Sequence, residues 1–178
     1  VLMRILVVED EPTLARSIAS AIEDNGLAAD VAFDGDEALY LDVVDGRQDI
    51  RYSPQVGSRW PLYCTGMGRA LLAFQEPAFI QRYLAETNLL RRTPLTVTAR
   101  SRLRRIIDDV RTAGFVVTQG EHTVGAGAVA VPIFERDGRV RHAIGIGLPI
   151  ARLGPRCELL AGLVVDAARQ ISWTLGGR

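Results

Sequence analysis

A chain of 178 residues, 48% of them apolar, can bury one substantial core, and its 21 basic residues balance 21 acidic ones, so no net field draws it onto nucleic acid or an anionic membrane. Every basic residue is arginine, which excludes Schiff-base lysines, a P-loop and lysine-dependent phosphotransfer. No apolar run approaches the ~20 residues of a membrane helix and no signal-peptide pattern opens the chain, so a cytoplasmic location is expected. Cys64 and Cys157 lack the spacing of a disulfide scaffold or a zinc site and read as buried thiols.

In chain order, Met3 to Val8 is a continuous apolar run suited to a strand covered on both faces. Asp10-Glu11-Pro12 then starts a helix, whose apolar stripe is Leu14, Ala15, Ile18 and Ile22 and which stops at Asn25-Gly26. With a strand over Ala29 to Phe33 this makes a β-α-β unit. Asp34-Gly35 and Asp45-Gly46 supply turns on either side of Ala38 to Val44. Helices are expected over Gly68 to Phe74 and from Pro77 through Leu84, with Thr93-Pro94 breaking the pattern. Leu103, Ile106, Ile107 and Val110 recur at helical spacing up to Gly114. Val129 to Phe134 and Val140 to Ile146 flank Arg136-Asp137-Gly138 as a hairpin. Leu160, Leu163, Val164, Ala167, Ala168 and Ile171 stripe a final helix ending at Gly176-Gly177. The expected class is α/β in the broad sense, α+β in detail.

The most informative run is Gly57-Ser58-Arg59-Trp60-Pro61-Leu62-Tyr63-Cys64-Thr65-Gly66-Met67-Gly68, a glycine-punctuated turn directly before a helix. Exposed amides at such a turn can hold a small anion. This run resembles the signature of the effector-binding domain of IclR-family transcription regulators, and the resemblance covers about residues 13–178. It implies a GAF-like sensor with a mixed, mostly antiparallel sheet, packed helices and a small-molecule pocket on one side. By that resemblance Gly66 and Met67 line the pocket, Thr118, Ala126 and Ala128 form a second wall, and Gly145 and Gly147 a third. Members that hold small oxo-acids carry hydroxyls where this chain has Gly145 and Gly147, and an acid where it has Thr118, which favours a larger or more apolar ligand. The residues alone leave two readings of the strand glycines open, a ligand close to the backbone or tight helix-on-sheet packing.

Residues 3–38 resemble instead the first β-α-β of a response-regulator receiver domain. In such domains acids matching Glu9 and Asp10 hold Mg²⁺, although helix capping is the simpler reading of Glu9-Asp10-Glu11. The two resemblances overlap at the Asp34-Gly35 corner, which suggests a chimera: a receiver-like fragment over 1–38 and a sensor domain over 39–178, without the family's winged helix-turn-helix.

Other candidates are weaker. Cys64 near a helix start could be a nucleophile, but no triad spacing is legible. Glu121-His122 lacks a third metal ligand. The arginines at 91, 92, 100, 102, 104, 105 and 111 are interleaved with Asp108 and Asp109, as on a solvated helix face, and Gly145-x-Gly147 is no dinucleotide fingerprint. The expected function is non-enzymatic sensing by a transcription regulator's effector domain. Its partner would be a small organic acid or aromatic compound within a homo-oligomer, with no cofactor, no membrane and no nucleic acid contacted through this chain. The alternatives are a degenerate receiver or scaffold binding Mg²⁺ at its acidic corner, and a GAF-related cysteine enzyme.

Overall fold

The computed structural model describes residues 27–44 and 54–177. Strands β1 (Leu27–Asp34) and β2 (Glu37–Val44) form a hairpin whose turn places Gly35 at positive φ. The short β3 (Arg59–Pro61) follows, then helices α1 (Gly66–Ala73), α2 (Pro77–Glu86) and α3 (Arg100–Ala113). Next come β4 (Val116–Gln119), β5 (Ala126–Phe134) and β6 (Val140–Pro149). The short α4 (Ile150–Leu153) and a 3₁₀ turn lead into α5 (Cys157–Thr174). Among the described residues no helix is long and apolar enough to cross a membrane.

The sheet order is β3-β2-β1-β6-β5-β4, with every described pairing antiparallel. Strand alternation sends successive side chains to opposite faces and so builds two cores. Val129, Val131 and Ile133 of β5, with Ile146 and Leu148 of β6, meet the stripe Leu160, Val164, Ala168 and Ile171 of α5. On the other face Ala38, Tyr40, Ala130 and Ala143 pack with Met67, Ala70 and Leu71 of α1, which is backed in turn by Leu103, Ile107 and Val110 of α3. Arg111 ties α3 to the end of α1, donating to the carbonyls of Ala73 and Gln75.

The signature run is a helix entry. Thr65 is the N-cap of α1: its hydroxyl donates to the Pro61 carbonyl at 2.8 Å and accepts from the Gly68 amide at 3.1 Å. A Cβ on Gly68 would lie 2.5 Å from Leu62 Cα and 2.4 Å from Thr65 Oγ1, so only glycine fits beneath this turn. At the end of α3, Gly114 is left-handed at φ 77° and donates its amide to Val110.

The receiver-like reading of residues 3–38 finds no support. Its strand over Met3 to Val8, its helix over 13–25 and the acids Glu9 and Asp10 lie outside the described residues. Its last strand belongs to β1, where both edges are taken by antiparallel partners, β2 over Ala28 to Asp34 and β6 over Leu27 to Ala32. A parallel neighbour has no free edge there. The expected division between residues 38 and 39 falls inside β2, and Ala38 is buried in the core.

Candidate functional site

Where α1 meets the sheet near β4, a half-open pocket encloses about 510 Å³, the open space at its mouth included. The entry to α1 contributes Cys64, Thr65, Gly66 and Met67. Thr118, Ala126, Gly127, Ala128 and Gly147 come from β4, β5 and β6. The remaining wall is Tyr40, Pro54, Trp60, Glu121, His122 and Thr123.

The register explains which expected residues reach this space. Ala128 faces Gly147 across the β5–β6 pair and both stay partly exposed, whereas two pairs along, on the same face, Ala130 faces Gly145 and both are buried. Of the seven positions expected to line a pocket, Gly66, Met67, Thr118, Ala126, Ala128 and Gly147 do so. Gly145 does not. It lies under α1, where a Cβ would stand 2.6 Å from the Val129 carbonyl and 2.8 Å from Met67 Sδ. Its role in the fold is therefore close packing of helix on sheet, the second of the two readings left open for a strand glycine. Gly66 is a milder case, its added Cβ meeting Ala128 Cβ at 3.1 Å and Thr118 Oγ1 at 3.4 Å.

The rest of the wall is held by contacts that the sequence pattern does not announce. Arg69, only 2% exposed, donates from Nε to the Tyr63 carbonyl at 2.8 Å and from Nη1 to Glu121 Oε1 at 2.6 Å, while Nη2 meets Glu121 Oε2. Glu121, the one carboxylate among the described lining residues, is thus neutralised by a bidentate partner. Thr93 Oγ1 donates to the Gly120 carbonyl and Thr96 Oγ1 to that of Glu121, both at 2.6 Å, fixing the β4–β5 loop. His122 stacks on Trp60 with ring centroids 4.2 Å apart, and Tyr40 meets Trp60 edge-on at 5.1 Å. Burial, reinforced by the Arg92 guanidinium, lowers the His122 imidazole to about 4, so it is neutral at pH 7. Trp60 lies within the signature run, and a bulky aromatic there is the one sequence signal for this wall.

Cys64 is 1% exposed, and burial pushes its thiol up to about 11, the pull of Arg92 offsetting only part of the rise. A neutral thiol at physiological pH is a pocket wall rather than a nucleophile. Among the described residues no three His, Cys, Asp or Glu side chains cluster as a metal site, and Glu121-His122 is committed to an ion pair and a ring stack.

A helix N-terminus set against a six-stranded antiparallel sheet, with a half-open pocket between them, is the architecture of a GAF-like domain. The family model for the bacterial transcriptional regulator IclR C-terminal domain matches residues 16–173, and the chain belongs to that family. The family and the relatives it matches are those of transcriptional regulators. The chain is 31% identical over 146 residues to the HTH-type transcriptional regulator KdgR of Escherichia coli, covering 82% of this chain and 56% of that protein. It is 30% identical over 175 residues to BhcR of Paracoccus denitrificans, covering 97% and 61%. The chain therefore spans little more than half the length of these curated relatives. The solved structure of Thermotoga maritima IclR is similar with a TM-score of 0.84 at 28% identity, covering 92% of this chain and 68% of that one. An IclR homolog from Microbacterium hydrocarbonoxydans, solved in complex with 4-hydroxybenzoate, gives a TM-score of 0.81 at 26% identity, covering 92% and 65%.

Proposed function

We propose that this domain senses a small organic acid or aromatic effector in the pocket between α1 and the β4–β5 wall, and passes the occupancy to a DNA-reading part of a whole regulator by shifting the packing of a homo-oligomer. The observation that carries this reading is the conjunction of an apolar pocket with the start of α1. Gly66 and Met67 are the first two residues of that helix, so their amides have no intrahelical acceptor, and both residues line the pocket. Partial positive charge at a helix start suits a carboxylate. The apolar surface of Met67, Ala126 and Ala128 suits the rest of a small organic molecule. The 4-hydroxybenzoate held by the Microbacterium homolog is of the same chemical kind.

Thermal unfolding of the chain with a panel of aliphatic and aromatic acids tests the reading. A ligand selective for the folded state at a hundred times its Kd stabilises by about 2.7 kcal/mol. Ala126→Phe, which fills the pocket from a partly exposed lining position, abolishes the shift, and Arg102→Ala on the exposed face of α3 leaves it intact. A shift that survives Ala126→Phe unchanged places the ligand elsewhere and refutes the assignment.

A further inference from the structure

The pocket has one wall that an anion held at the start of α1 does not use. Trp60 of β3 and His122 of the β4–β5 loop lie face to face, their planes within 15° and their centroids 4.2 Å apart, with Tyr40 of β2 closing the edge of Trp60 at 62°. All three rings line the same cavity, although they come from three separate segments. The lining contributed by β5 and β6 is small-residue backbone at Ala126, Gly127, Ala128 and Gly147. Rings on one part of the lining and little side-chain bulk on another leave room for a flat ligand, and this part of the pocket is here called a slot. Next to His122 stands Glu121, whose two oxygens each take one guanidinium N–H from Arg69. A carboxylate oxygen accepts more than one hydrogen bond, so this pair keeps acceptor capacity for the pocket while its charge is already met.

We propose that the slot selects a planar ring acid that also carries a hydroxyl or amino donor, with the ring against the Trp60–His122–Tyr40 wall and the donor accepted by Glu121. This rests on the reading that the pocket holds an effector, and adds which shape and which second polar group it takes. A flat ring gains from the quadrupoles of the aromatic wall what a saturated ring of equal size does not. A ligand without a donor would cover the Glu121 oxygens and leave them with fewer partners than water provides. His122 assists as an uncharged ring, because a protonated imidazole here would face Arg92 and lose its hydration.

Calorimetric titration of the intact chain with 4-hydroxybenzoate, 4-methoxybenzoate, benzoate, cyclohexanecarboxylate and pyruvate decides the matter. Benzoate is expected to bind roughly fivefold more tightly than cyclohexanecarboxylate, from aromatic contact alone. The hydroxy acid is expected to bind on the order of tenfold more tightly than its methoxy analogue, from the hydrogen bond to Glu121. Trp60→Leu should bring the first ratio close to one, and Glu121→Gln should shrink the second. Both readouts are ratios within one protein, so a variant that is partly unfolded still reports them, and the wild-type ratios stand even if a variant fails to fold. Equal binding of benzoate and cyclohexanecarboxylate, or an unchanged first ratio in Trp60→Leu, overturns the ring assignment. Equal binding of the hydroxy and methoxy acids overturns the role of Glu121. If none of the five acids binds, this inference falls, while the sensing reading stands or falls by the wider acid panel and Ala126→Phe.

Discussion

Replacing Arg69 by Met should be among the most damaging single changes in the pocket region, because the guanidinium is 2% exposed and its polar contacts all point inward. The substitution leaves the Tyr63 carbonyl without this donor and leaves the Glu121 carboxylate, 12% exposed, without its counter-charge. Breaking one partner of a buried ion pair costs about 3–5 kcal/mol. Glu121 keeps slight contact with water, and its own backbone stays pinned by Thr96, so the lower end of that range applies. At about 2–4 °C per kcal/mol for a chain of this size, the melting temperature should fall by roughly 6–12 °C. The double variant Arg69→Met/Glu121→Leu removes both charges together and should recover most of the loss, a coupling that urea denaturation of the four proteins in the cycle would measure. A melting temperature for Arg69→Met within about 2 °C of wild type, or strictly additive losses in the double variant, would refute the claim that this pair is desolvated and holds the loop to α1.

Gly145→Ala should destabilise by about 1–3 kcal/mol in thermal or urea unfolding, since its Cβ would meet the Val129 carbonyl at 2.6 Å and backbone in mid-sheet cannot yield as the Met67 side chain can. Pairing it with Met67→Ala should recover only part of that loss. Folded His122 titrates at about 4 and unfolded histidine near 6.5, so between those values the unfolded chain binds the extra proton; the stability this neutral ring contributes is present above pH 6.5 and lost as pH falls toward 4. His122→Phe should flatten that part of the stability–pH curve, and an identical slope in both proteins would contradict it. In thiol labelling at pH 8, Cys157 should react well before Cys64, which is held neutral and 1% exposed. Equal rates would show that the wall around Cys64 opens.

Features set by neighbours in the chain are legible in the amino-acid sequence itself. Thr65 and Gly68 cap one helix entry, Pro77 opens the next helix, Gly114 ends α3, and period-3.6 stripes mark α3 and α5, because each signal acts within one or two turns. The hairpin of β5 and β6 is equally local. The edge strands β3 and β4, three and four residues long, carry too short a pattern to read and exist only through their partners. Of the seven positions that family resemblance names, six border the pocket, whereas Gly145, two register pairs along from Gly147, pairs with Ala130 rather than Ala128 and lies under α1. Tertiary structure alone decides the partners that define the chemistry. Arg69 meets Glu121 across 52 residues and Trp60 meets His122 because sheet order folds their segments onto one cavity. The same order fills both edges of β1 and so removes the parallel partner that its sequence suggests. Hydrophobic spacing dictates which face of an element is buried, but not which distant face it is buried against; that choice depends on the packing of the whole sheet.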